Sequence, residues 1–221
     1  NQIDKINNYE YKLSGVAAII LVGLCYKDEK NLIIKGLDNL KKIIKNSLDN
    51  FGFPKSRNIK YSILFLKYLV LIREWFKESQ TQIPEFIDEN IFQLGQSYSF
   101  FWNENKLDPL FNGNNISNNN EFDLYLNRLG YSFKNDNHEF SNYINLKNKK
   151  INLIMDLGSS PNKKFSDDYQ AGALSFEFIS NGKKLLTNGG YFNNNNFKLN
   201  ILSRSSALHN VLTIDDNSSC K

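Results

Sequence analysis

The sequence predicts an α+β chain in which a helical first half is followed by a separately built β half. Two observations carry this. Up to about residue 102 the apolar residues recur every three or four positions, the helical period. Past Asn112-Gly113-Asn114 they fall into short alternating or continuous runs bounded by Gly, Asn, Asp and Pro, the punctuation of strands. Helices gathered at one end and strands at the other imply two layers built separately, not an alternating α/β sheet. A length of 221 residues accommodates one large domain or two small ones. The boundary is expected between Asn112 and Phe140.

The first helix is expected from Lys12 to Tyr26, where Val16, Ile19, Ile20, Val22 and Leu24 make a nearly all-round apolar surface suited to an inner helix. A second runs from Glu29 to Leu48. There Ile33, Ile34, Leu37, Leu40, Ile43, Ile44 and Leu48 form one face, while Lys35, Lys41, Lys42 and Lys45 fall elsewhere. The stretch from Asp49 to Pro54 stops it, because Asn, Gly and Pro each disfavour helix continuation. A third helix covers Ile59 to Phe76 on Ile63, Leu66, Leu69, Val70 and Ile72. A fourth starts at Pro84, well placed at a first helical position, and reaches Trp102. Residues 1–118 are therefore a helical domain, 119–140 a linker and 141–221 a β domain. The Asn clusters at Asn118 to Asn120 and Asn193 to Asn196 mark loops, since Asn tolerates turn geometry. Strands are expected at Tyr143 to Leu146, Ile151 to Asp156, Ala173 to Ile179, Lys184 to Thr187 and Val211 to Ile214. Ser180-Asn181-Gly182-Lys183 joins two of them as a hairpin, because Asn-Gly takes the positive φ angles of tight hairpin turns.

Composition removes several classes. The 27 Lys and Arg against 23 Asp and Glu leave a net charge of +4. Residues 1–118 carry 15 positive and 13 negative side chains, and residues 119–221 carry 12 and 10. With no concentrated basic face, a nucleic-acid partner is not expected. No apolar run is long enough to span a membrane. Cys25 and Cys220 match no metal or redox spacing and read as free thiols. The chain begins at Asn1 and stops just after an expected strand, so it reads as a piece cut at both ends.

Few residues offer chemistry. His138, among Asp136, Asn137 and Glu139, reads as a solvated loop residue, whereas His209 precedes the strand expected at Val211 and would sit at a sheet rim. Tyr61 opens a helix four residues after Arg57, and a guanidinium near a phenol lowers its pKa and suits it to proton transfer. Ser205 and Ser206 lack the Gly-x-Ser-x-Gly elbow that presents a nucleophile. Asp167-Asp168 and Asp215-Asp216 are adjacent residues that would point to opposite faces of a strand, and they read as solvated charges. No glycine-rich phosphate loop is present.

Three blocks in order carry a resemblance. They are Tyr169-Gln170-Ala171-Gly172-Ala173-Leu174-Ser175-Phe176-Glu177-Phe178, then Asn181-Gly182 through Asn188-Gly189-Gly190, then Arg204-Ser205-Ser206-Ala207-Leu208-His209-Asn210-Val211-Leu212. Together they resemble the heparinase II/III family of polysaccharide lyases. Arg57-Asn58-Ile59-Lys60-Tyr61 and Leu107-Asp108-Pro109-Leu110-Phe111-Asn112-Gly113 resemble its helical half. The resemblance implies a partial (α/α) toroid followed by an antiparallel β-sandwich, both truncated here, with an acidic, uronate-containing glycan in the cleft between them. The implied reaction is β-elimination, in which a base removes the C5 proton, hydrogen bonds neutralise the uronate carboxylate and an acid protonates the leaving O4.

By the same match, Tyr61 and His209 are the catalytic positions, and Arg57, Gln170, Asn188 and Arg204 are on the substrate side, with Arg57 holding the carboxylate. Gln170 and Asn188 stand where the family has His and Asp, and a Gln, Asn and His set suits zinc poorly, so no metal and no cofactor are expected. Phe51 or Phe53 replaces a family histidine, and Glu10-Tyr11 aligns where the family shows Asn-His. The resemblance also implies a bacterial cell envelope or periplasmic location. A second reading is a non-catalytic glycan-binding or envelope polysaccharide-assembly protein of the same fold. Oligomeric state is not legible.

Overall fold

In a computed structural model the described residues are 8–102, 107–116, 120–192, 197–215 and 217. The first four helices follow the predicted order: α1 (Tyr9–Cys25), α2 (Lys30–Ser47), α3 (Ile59–Glu78) and α4 (Glu85–Phe101). Asn8 caps α1 by accepting the Glu10 and Tyr11 amides, and Asn58 caps α3 by accepting that of Lys60. Each cap satisfies donors that a helix start leaves unpaired. α1 and α2 lie against each other through glycines: a Cβ on Gly36 would fall 2.5 Å from Ile20 Cγ1, and one on Gly23 2.7 Å from Ile33 Cγ1.

α1 packs on both α2 and α3 and is an inner helix as expected, and α3 is a second one. α3 packs on both α1 and α4, and Ile59, Ile63, Phe65, Leu66, Leu69, Val70, Ile72 and Phe76 bury most of its circumference. α1 buries Leu13, Val16, Ala17 and Ile20 but leaves Val22 41% exposed, so its outer face is uncovered among the described residues. No described helix is long and apolar enough to cross a membrane.

The stretch expected to link the halves holds a fifth helix, α5 (Asn120–Arg128). Phe122 and Leu126 bury one side of it, a helical spacing that outweighs the asparagine at its start. Asn118, Asn119, Asn193 to Asn196, Asp216 and Cys220 lie outside the described residues.

Beyond α5, one antiparallel meander runs β1 (Glu139–Phe140), β2 (Tyr143–Lys147), β3 (Ile151–Asp156), β4 (Phe176–Ser180) and β5 (Lys183–Leu186) in sequential order. The Asn181-Gly182 hairpin forms as expected, with φ of 49° and 74°. β4 starts later than predicted because Ala173 and Leu174 make a turn, with Leu174 at φ 60°. The segment after β5 contains α6 (Phe197–Arg204), in place of a continuous loop.

The strand expected at Val211 to Ile214 does not form. Its first amide turns back to the His209 carbonyl at 3.0 Å, and the Asn210 side chain takes the Phe176 carbonyl at 3.1 Å. Only an isolated bridge, Ile214 with Asn217, remains. His209 therefore follows a short 3-10 turn, Ser206–Leu208, and is not at a strand rim.

The sheet has two unlike faces. Tyr143, Asn145, Asn152, Ile154, Asp156, Glu177 and Ile179 point inward and are buried. On the other face Leu146, Leu153, Phe178 and Leu186 are cross-strand neighbours in one partly exposed row. Helices and sheet share a single hydrophobic core that includes Tyr143 and Ile154. The Tyr143 ring, fully buried, lies 4.9 Å from Phe101, 5.7 Å from Phe111 and 5.8 Å from Phe53, centroid to centroid.

Candidate functional site

The site forms where the first turn of α3 meets loops of the β half, and a turn at Phe111 to Asn114 joins the two. Asn112, at φ 44°, sends its amide to Tyr143 Oη at 2.8 Å and to Asp156 Oδ2 at 2.7 Å. Gly113 has φ 86°, a conformation costly for any residue with a Cβ. A Cβ there would also fall 2.4 Å from Asn58 Nδ2 and 2.9 Å from the Asp168 Cβ. A glycine is thus what lets the start of α3 approach the loop that carries Asp168.

Tyr61 lies on that first turn, half-buried. Its hydroxyl donates to Asp168 Oδ2 at 2.6 Å, and Asn58 Nδ2 reaches the same oxygen at 3.4 Å. The Tyr9 ring stands edge-on at 4.9 Å. Burial first, then the Asp168 carboxylate, hold the phenol well above the ordinary tyrosine pKa. This reverses the expectation from sequence. Arg57 does not lower the phenol, because its guanidinium faces elsewhere, and a carboxylate occupies the place beside Oη. Asp168, read as a solvated charge, is half-buried in the site. Its one signal in the sequence was its position two residues before Gln170.

Arg57 is committed to the wall behind the site. Its Nη2 meets Asp156 Oδ1 at 2.6 Å, its Nη1 donates to the Ser141 carbonyl at 3.2 Å, and its guanidinium stacks 4.6 Å over the Tyr143 ring. Asp156 also accepts the Gly158 amide at 2.9 Å. Arg57, expected to hold the carboxylate, is in this structure a buried cross-brace between the two halves. Among the described residues no hydrogen bond joins Tyr61 to Arg57 or to His209.

Gln170 is another brace. Its Oε1 accepts the Gly113 amide at 3.0 Å, and its Nε2 donates to the carbonyls of Gly190 at 3.0 Å and Ser203 at 2.6 Å. The side chain is fully buried, with no atom turned to a ligand. Gln170→Leu should strip partners from three backbone groups and lower the unfolding free energy by at least about 2 kcal/mol, read by urea denaturation.

Asn188 Oδ1 accepts the Asn210 amide at 3.0 Å, while its Nδ2 is buried without a partner. Arg204 is exposed and reaches the Ser166 carbonyl at 3.4 Å. His209 Nδ1 sits 2.9 Å from the Ser205 carbonyl, which places the proton on Nδ1 and leaves Nε2, buried and unpartnered, as an acceptor. Burial pushes the imidazole pKa down, opposed by the Ser205 bond, so the ring is neutral at pH 7.

His138, Glu10 and Tyr11 are exposed, as is Phe51, whereas Phe53 is core. Ser206 is buried on the Ala171 carbonyl, and Cys25 is an exposed free thiol. Among the described residues no three His, Cys, Asp or Glu side chains gather into a metal-binding group. The zinc that the resemblance implies for some members does not fit here: Gln170 is held by three backbone groups and Asn188 Oδ1 by the Asn210 amide, and amides are poor zinc ligands, leaving one imidazole nitrogen.

Residues 137–221 match the family model described as Heparinase II/III-like, C-terminal. Over those residues, under half of its length, the chain is similar to the C-terminal part of heparinase II/III-like proteins. Solved structures of similar fold include heparan sulfate lyase HepC from Pedobacter heparinus, with a TM-score of 0.76 at 14% identity over 96% of this chain and 38% of that one. The heparinase III-BT4657 gene product gives 0.76 at 17% identity, again over 96% and 38%. A further heparinase III gives 0.75 at 15%, over 96% and 40%. The chain thus spans about two fifths of the length of these proteins. No curated protein matches it.

Proposed function

We propose that this heparinase II/III-like chain belongs to a polysaccharide lyase that cleaves an acidic, uronate-containing glycan by β-elimination. The observation that carries the reading is the half-buried Tyr61 phenol, hydrogen-bonded across the junction of the helical and β halves at 2.6 Å. Tyr61 exchanges protons with the sugar, His209 offers a neutral acceptor nitrogen, and Asn188 and the exposed Arg204 contribute polar contacts. Arg57 and Gln170 set the walls. The similarity to a heparan sulfate lyase makes glycosaminoglycans the first substrate class to try.

In the same reading the described helices are part of an (α/α) toroid, and the uncovered face of α1 adjoins further helices. The apolar row Leu146, Leu153, Phe178 and Leu186 is the inner face of a β-sandwich. Residues 1–118 and 141–221 then form the two domains. The compartment is the cell envelope or periplasm, where such a glycan is met.

A glycan array of sulfated and unsulfated uronate polysaccharides should give binding. Incubation with the bound glycan should then produce the ultraviolet absorbance of a C4–C5 unsaturated uronate. The commitment of Arg57 to Asp156 and of Gln170 to three backbone groups favours a second reading, a non-catalytic glycan-binding or envelope polysaccharide-assembly protein. Binding without the unsaturated product selects that second reading, and absence of any binding to acidic glycans removes both.

A further inference from the structure

We propose that Asp168 is the proton acceptor behind Tyr61, so that the two side chains work as a relay in the elimination. The proposal rests on the lyase reading above. Tyr61 Oη and Asp168 Oδ2 are 2.6 Å apart, the short range of a hydrogen bond to an ionised acceptor.

The geometry is held from several sides. Asn58 Nδ2 steadies the same oxygen at 3.4 Å, the Tyr169 amide closes the local turn on the Ser166 carbonyl at 3.0 Å, and Gly113 leaves the space. Both members of the pair are half-buried, so neither is fully solvated. The other titratable groups facing it are Tyr9 from α1 and Tyr191 from the segment after β5, with Arg204 of α6 beyond Tyr191.

A phenol beside a carboxylate resists becoming a phenolate, since two negative charges would then share a hydrogen-bond distance. Tyr61 therefore cannot wait at neutral pH as a preformed base, and the carboxylate supplies what is lacking. As the C5–H bond breaks, its proton passes to Tyr61 Oη while the phenol's own proton moves to Asp168 Oδ2. The electron pair left at C5 forms the C4=C5 double bond, and the C4–O4 bond electrons leave with O4. O4 then takes the proton from Tyr61, and Tyr61 recovers one from Asp168. Every proton is accounted for, and the pair ends as it began. Asp168 acts through Tyr61 and is a positioning and proton-holding residue, not one that touches the sugar.

Asp168→Asn separates holding from accepting, because the amide oxygen still receives the phenol bond but cannot take its proton. On a glycan that the unaltered protein cleaves, kcat should fall at least about 100-fold with KM changed less than about 3-fold. The residual rate should climb with pH as Tyr61 ionises, where the unaltered protein gives a plateau through neutral pH. Asp168→Glu should restore part of kcat and the plateau.

An Asp168→Asn protein with unchanged kcat and pH profile overturns the relay while leaving the lyase reading intact. An unaltered protein that cleaves no uronate glycan removes both. If the variant does not fold, the unaltered protein labelled with 13Cζ-tyrosine decides. The Tyr61 resonance, assigned with Tyr61→Phe, should stay at its phenol position while exposed tyrosines titrate, and titration alongside them overturns the relay.

Discussion

Asp156→Ala is expected to destabilise the folded protein by about 3–5 kcal/mol, the range for breaking a buried ion pair from one side. Asp156 is 1% exposed and receives three donors, Arg57 Nη2, Asn112 Nδ2 and the Gly158 amide, while the Arg57 head is fixed over the Tyr143 ring. Truncation removes the carboxylate and leaves the buried Arg57 cation with only the Tyr143 ring and the Ser141 carbonyl. The guanidinium has no room to leave toward Gly158, where even a Cβ would sit 2.1 Å from its central carbon. Equilibrium urea unfolding monitored by tryptophan fluorescence measures the loss. A change under about 1 kcal/mol would mean the pair is solvated in solution and does not brace the two halves.

Tyr61→Phe should leave the fold almost untouched and remove turnover. The ring keeps its edge contact with Tyr9, so the melting temperature should move little. The hydroxyl reaches Asp168; under the proposed lyase reading it also reaches the sugar, and losing a group that transfers a proton in the transition state lowers kcat by about 100- to 10,000-fold. Glycan binding, read on the same array, should persist. Retained cleavage would transfer the acid–base role to another side chain, His209 first, through its unpartnered Nε2.

The sequence made the periodic elements legible and left the long-range ones hidden. α2 is plain because most of its isoleucines and leucines recur at helical spacing away from its lysines, although Ile34 stays exposed. The Asn181-Gly182 hairpin was plain because its turn chemistry is local. α5 is obscured in the sequence because it opens on an asparagine cluster with loop character, and the helical spacing of Phe122 and Leu126 is short. The missing strand at Val211 failed for another reason: its apolar residues fit a strand, but side-chain and turn bonds from Asn210 and His209 take the backbone partners.

Among site residues, Tyr61 and His209 were named through resemblance, since their spacing alone is unremarkable. Asp168 and Asp156 could not be found that way. Their partners Tyr61 and Arg57 lie 107 and 99 residues away in sequence, and only the folded chain brings each pair within hydrogen-bond reach. The same distance explains why Arg57, four residues from Tyr61, was expected to act on it. Arg57 sits at φ 59° in the left-handed region, and its head is paired with Asp156 in the wall, not with the phenol.

Tyr143 has a further consequence. Because one aromatic ring from the sheet is enclosed by phenylalanines from the α2–α3 connection, α4 and the turn after it, the helical and β parts lack separate interiors. Heat or denaturant would have to open both at once, so the boundary drawn through the sequence marks a change of architecture and not a seam between independently cooperative folding units.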